Sequence, residues 1–135
     1  MKKHKKLILL LIIITVAFIW IHSIMPPDVS GDESQRVVEI LENVFGDGNV
    51  DEHFVRKLAH FTEFFILGLE LMTYFDNMYI CAFHGLFIAA MDETIQIVSS
   101  RGSSLLDVWL DFFGCICGMV LLIIIAKLRK KKNEG

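Results

Sequence analysis

The sequence predicts an all-α protein, an integral membrane bundle of four transmembrane helices with a short extracytoplasmic amphipathic helix between spans one and two. Three observations lead there. Apolar residues are 54% of the 135-residue chain, and they gather in four blocks near the roughly 20 residues that a helix needs to cross a bilayer. Basic residues crowd both termini. The stretch between the first two blocks is strongly acidic.

The first span is expected at 7–24. It follows a basic start, Met-Lys-Lys-His-Lys-Lys, and stops before Pro26-Pro27, which cannot continue a helix. An Ala-x-Ala-like cleavage site is missing, so a retained span is expected rather than a cleaved signal peptide. The extracytoplasmic segment, 25–54, holds eight acids (Asp28, Asp32, Glu33, Glu39, Glu42, Asp47, Asp51 and Glu52) against one base, Arg36. Within it Ser30-Gly31-Asp32-Glu33 has the form of a capping box. Val37, Ile40, Leu41, Val44 and Phe45 then recur at helical spacing up to Gly46, which predicts an amphipathic helix on the outer surface or against the bundle.

The remaining spans are expected at 55–75, 78–98 and 104–128. The second and third are joined by Asp76 and Asn77 alone. After the fourth come Lys127, Arg129, Lys130, Lys131 and Lys132. Basic residues beside spans stay cytoplasmic, so both ends are expected inside a plasma membrane, and an even number of spans follows. The whole chain, 1–135, reads as a single membrane domain with no room for a soluble catalytic one. The lipid bilayer is its expected surrounding, and no nucleic-acid partner is expected. Cys81, Cys115 and Cys117 fall inside spans and read as packing thiols. Gly114-x-x-x-Gly118, with Ala82, Gly85 and Ala89, supplies small residues that let membrane helices approach closely, here within the chain.

The chemistry lies in one layer. On the second span Lys57, His60 and Glu63 follow at three-residue steps along one side of a helix. The third span ends with Asp92, Glu93 and Gln96, and the fourth begins Ser104-Leu105-Leu106-Asp107 with Asp111 one turn deeper. Arg101 stands in the turn between them. At ~1.5 Å per residue, Glu63 lies about 12 Å, Glu93 about 8 Å and Asp111 about 10 Å from the outer ends of their helices. Three helices therefore carry ionisable groups to one level in the outer half. A charge near the bilayer centre costs ~2.5–3.5 kcal/mol. These groups must share protons, pair with Lys57 and Arg101, or line a wet cavity. Asp107 also suits a helix-start anion, Lys57 a snorkelling interfacial base, and Gln96 interhelical glue. Glu70 and His84 are weaker candidates.

The same residues carry a family resemblance. Arg56-Lys57-x-x-His60-Phe61-x-Glu63-x-x-x-x-Gly68 resembles the first signature of the VanZ-like membrane proteins. Asp92-Glu93-x-x-Gln96, Arg101, Ser104-Leu105-Leu106-Asp107 and Gly114 resemble its second. The resemblance covers residues 55–120, implies a four-span layout, and marks Lys57, His60, Glu63, Asp92, Glu93, Gln96, Arg101 and Asp107 as signature positions. This chain departs in having Asp111 where the family often has Asn, and Ser99-Ser100 in place of Pro-Gly. The resemblance also implies a link to teicoplanin, a lipid-tailed glycopeptide antibiotic.

Three functions are open on these residues. The first is a cell-envelope protein whose outer-leaflet polar cavity engages an amphipathic lipid-linked or lipoglycopeptide ligand through Lys57, Gln96, Asp107 and Asp111. The second is a membrane enzyme acting on a lipid-linked substrate. Its catalytic set would be His60, Glu63, Asp92, Glu93 and Arg101, with Asp92 or Glu93 as base, His60 as its partner and Arg101 as anion clamp. The third is a small proton-coupled carrier, for which inverted repeats and broken helices are missing. Gly-x-Ser-x-Gly is absent too, which disfavours an acyl-enzyme. The cofactor stays open: one His among acids is no specific metal motif, although such an oxygen-rich set suits Mg or Mn better than zinc.

Overall fold

A computed structural model of the chain describes residues 2–25, 35, 37–40, 51–99 and 104–134. Four long helices run through them: α1 (Lys2–Ile24), α2 (Glu52–Phe75), α3 (Met78–Val98) and α4 (Leu105–Glu134). Each apolar block sits inside one helix. The helices outrun the blocks at polar ends, and α4 carries its basic run Lys127–Lys132 in helical form to Glu134. Residues 35 and 37–40 are helical too; the rest of the expected amphipathic helix, and Arg101, lie outside the described residues.

Local chemistry explains the boundaries. Asp51 opens α2 by accepting from the His53 amide at 3.2 Å, as an N-cap should. Asp76 closes it in the left-handed region (φ 51°), its amide donating to Met72 O at 3.0 Å. One residue later Asn77 caps α3, accepting from the Tyr79 and Ile80 amides at 3.0 and 3.2 Å. The turn between α2 and α3 is therefore two residues long, and it makes the two helices antiparallel neighbours. Ser104 starts α4: its hydroxyl accepts from the Leu106 amide at 3.2 Å and its carbonyl from the Asp107 amide at 2.8 Å.

Helix α2 is the hub of the bundle, packing against α1, α3 and α4. Phe64, Leu67 and Leu71 of α2 meet Ile19 of α1, Cys81 and Ala89 of α3, and Cys115 and Met119 of α4 in one buried cluster. Its closest seam is with α4. A Cβ on Gly114 would stand 2.6 Å from the Phe61 carbonyl oxygen, and Cβ atoms on Gly68 and Gly118 would collide with the carbonyls of Cys115 and Phe65. Gly85 of α3 faces the Cys115 thiol at 2.5 Å from where its Cβ would be. The small residues thus bring helices of one chain together, as their spacing predicts. All three cysteines are free thiols, two of them buried.

The polarity of this bundle is turned outside in. Leu9, Ile13, Phe18, Phe83, Phe87, Trp109, Phe113 and Ile124 stand exposed, while Ser23, Asp92, Glu93, Gln96 and Asp111 are buried. Water would penalise both halves of that arrangement, whereas hydrocarbon favours both. Among the described helices α1, α3 and α4 are long and apolar enough to cross a membrane. Helix α2 has the length, 24 residues, but its charged residues hold it below the same apolar standard.

Candidate functional site

The polar residues converge at the end of the bundle where α1 and α3 finish and α2 and α4 begin. Asp92 is fully buried there. Its Oδ1 accepts from the Ser23 hydroxyl of α1 at 2.6 Å, and its Oδ2 accepts from Gln96 Nε2, one turn on, at 2.8 Å. The same Gln96 nitrogen lies 3.4 Å from Ser23 Oγ, so Ser23, Asp92 and Gln96 form a closed triangle. Ser99 fastens it, its hydroxyl 3.2 Å from the Ser23 carbonyl and 2.8 Å from that of Ile95. A buried carboxylate with a donor on each oxygen is held in one orientation.

Two imidazoles flank this triangle. The rings of His22 on α1 and His60 on α2 stack with centroids 5.5 Å apart at 14°. Glu63 spans them: its Oε1 is 3.0 Å from His22 Nδ1, and its Oε2 is 3.7 Å from His60 Nδ1. His60 Nδ1 also stands 4.0 Å from Asp92 Oδ2. These last two separations exceed a direct hydrogen bond. His22, Glu63, His60 and Asp92 form a run of titratable side chains across three helices. Asp111 enters from α4, 2% exposed. One oxygen each of Asp92 and Asp111 and one ring nitrogen of His60 all lie within 4.8 Å of one another.

The rim is different in kind. Lys57 Nζ pairs with Asp107 Oδ1 at 3.0 Å in a partly exposed bridge. Glu93 accepts from the Ser104 amide at the first turn of α4. Its carboxylate thereby ties the end of α3 to the start of α4 and faces the positive end of that helix. A cavity of about 40 Å³ lies between α2 and α4, lined by His53, Arg56, Lys57, His60, Gln96, Asp107, Leu110 and Asp111. At ~10–15 Å³ for each water centre, it has room for a few waters or an ion with part of its shell.

Of the residues singled out in the sequence, Lys57, His60, Glu63, Asp92, Glu93, Gln96, Asp107 and Asp111 come together here. Asp92 and Glu93, adjacent in sequence, separate in role: Asp92 enters the buried triangle and Glu93 caps a helix. Glu70 lies elsewhere, accepting from Thr15 at 3.0 Å. His84 is at the opposite end of the bundle, 2.7 Å from the Ile80 carbonyl and stacked on Phe75. His22 and Ser23 are the residues that sequence reasoning passed over. The signal available was a polar pair interrupting the apolar run of α1 one turn before Pro26, at the depth of the other polar residues.

The family model for VanZ/LLP1 matches residues 8–126. The chain belongs to the VanZ/LLP1 family. No curated protein and no solved structure matches it. The matched range takes in nearly all of the four helices and every polar side chain of the cluster, so the VanZ/LLP1 assignment concerns the bundle as a whole. With three apolar helices of spanning length and this family, the chain is a membrane protein of the VanZ-like envelope type.

Proposed function

We propose that this VanZ/LLP1 protein crosses the plasma membrane four times with both termini in the cytoplasm, and that its outer-half cavity engages the polar head of an amphipathic envelope molecule. The observation that carries this reading is the cavity between α2 and α4. It has a cationic rim, Arg56 and Lys57, over a floor of His60, Gln96 and Asp111, at the end of the bundle opposite the basic termini. Basic residues mark the cytoplasmic side, so the cavity opens in the outer leaflet. The fourth crossing is supported by the burial of α2 among the other three helices. Within 55–75 the charges that lower its hydropathy are Arg56, Lys57, Glu63 and Glu70; Arg56, Lys57 and Glu63 stand at the site, and Thr15 meets Glu70.

Scale narrows the ligand. About 40 Å³ admits the tip of a head group and not a glycopeptide body. Any effect on sensitivity to lipoglycopeptides such as teicoplanin then acts through the handling of an envelope lipid or of one group of the drug. The test is teicoplanin susceptibility and lipid composition of cells expressing the wild type, Lys57→Met and His60→Ala at matched membrane abundance. Protection or an altered lipid profile given by the wild type and lost in both variants is the expected result. Wild-type effects that persist in both variants would sink the proposal, as would a wild type without either effect.

A further inference from the structure

Among the described residues, Asp111 is the member of the cluster left without a polar partner. It is 2% exposed, it faces the cavity, and among the described residues it makes neither a hydrogen bond nor an ion pair. Burial weighs most on its charge, and four further acids, Asp92, Asp107, Glu63 and Glu93, add to it. The nearby ammonium of Lys57 is already at Asp107, 3.0 Å away. A buried carboxyl group in that setting is neutralised either by a proton or by a cation.

The geometry supplies a place for one. His60, Asp92 and Asp111 come from three different helices, and their ligating atoms lie within 4.8 Å of one another. Divalent ions at ~2.0–2.6 Å from each ligand need donor atoms roughly 3–5 Å apart. Asp92 is oriented by Ser23 and Gln96, one donor on each oxygen. Outer-shell partners of metal-binding carboxylates act in this way, and each oxygen keeps a further lone pair. The cavity beside the triangle leaves space for water to complete the coordination.

We propose that His60, Asp92 and Asp111 form a divalent metal site. Two carboxylates and one imidazole suit an ion between the hard and borderline classes, with Mn2+ as the representative. The ion would balance the acids of the buried layer and present an open coordination position to the cavity. This inference does not rest on the head-group reading, because metal binding to the purified chain succeeds or fails without any lipid ligand.

The experiment is Mn2+ titration of the purified full chain in nanodiscs, followed by electron paramagnetic resonance with spin-echo detection of 14N coupling. One Mn2+ per chain, coupled to a single imidazole nitrogen, is expected for the wild type. Asp111→Asn and His60→Ala should each weaken binding by more than tenfold, and His60→Ala should also erase the nitrogen coupling. Ser23→Ala should cost about tenfold, as an outer-shell loss does, while Glu70→Gln, outside the triangle, should bind as the wild type does. Failure of the wild type to bind Mn2+ stoichiometrically overturns the site, and so does bound Mn2+ without imidazole coupling. Neither of those outcomes depends on a variant folding. Undiminished binding by a well-folded Asp111→Asn overturns it equally.

Discussion

Gly114→Ala offers a test in which the sign of the effect decides. On an isolated helix the exchange is favourable, because Gly in a helix interior is ~0.8–1.0 kcal/mol worse than Ala. In the bundle the new Cβ would stand 2.6 Å from the Phe61 carbonyl oxygen and 3.3 Å from the Phe61 ring, where ordinary contact begins near 3.4 Å. Helix α4 must therefore retreat by the difference, about 0.8 Å, and a radial gap of ~0.5–1 Å already forfeits a quarter to a half of the dispersion attraction. The obstacle is backbone, which cannot rotate aside, and Gly68 and Gly118 share the seam. Overpacking of this kind costs ~1–3 kcal/mol. Membrane helices, lacking a hydrophobic drive toward one another, have little else to offset it. After the propensity gain, a net loss centred on about 1 kcal/mol, and at most about 2 kcal/mol, is expected. Reversible unfolding in bicelles with increasing dodecyl sulfate, followed by circular dichroism, reads it. A Gly114→Ala chain as stable as the wild type, or more so, refutes the close seam.

The other predictions concern the polar groups. Ser23→Ala removes a 2.6 Å donor from buried Asp92 and should cost ~1–3 kcal/mol in the same unfolding assay. Thr15→Val strips Glu70 of its 3.0 Å donor, and Glu70 Oε2 has no hydrogen bond of its own, so a loss of ~1–2 kcal/mol is expected. Lys57→Met breaks an ion pair whose lysine is 38% exposed. Such pairs are worth ~0–1 kcal/mol, so stability should hardly move while any cavity function drops. His22→Ala breaks the 3.0 Å contact to Glu63 and the stack on His60. It should broaden the His60 imidazole resonances in an NMR spectrum of 15N-histidine-labelled protein, and unchanged resonances would disprove the stacking.

Much of this architecture was legible in the sequence because membrane helices announce themselves by length and by what terminates them. Asp76 and Asn77 marked the α2–α3 turn, and Gly114 and Gly118 marked α4 as a close-packing helix, while Gly68 on the other side of the seam emerged only in the structure. The layer was legible through helical rise, which put Glu63, Glu93 and Asp111 at one level on separate helices. Rise fixes depth but not azimuth, and side-chain direction separated the neighbours. Asp92 and Glu93 differ by about 100° around α3, enough to send one into the core and the other to the start of α4. His22 and Ser23 stayed hidden because one imidazole and one hydroxyl barely dent the hydropathy of α1. Their partners, Glu63 and Asp92, are 41 and 69 residues away, and no local spacing reveals such pairs.

The Ser23–Asp92 bond also has a consequence for biogenesis. A chain that enters the bilayer in the order of its synthesis brings in α1 well before α3. Until Glu63 arrives 41 residues after His22, and Asp92 69 residues after Ser23, these two polar residues sit near the end of an otherwise greasy helix with their eventual partners still unmade. Asp92, for its part, can enter hydrocarbon cheaply only if α1 is waiting beside it. Truncating or replacing the first helix would then do more than unmoor the protein: it would leave the third helix hard to insert, and the defect would appear as degraded chain before it appeared as lost function.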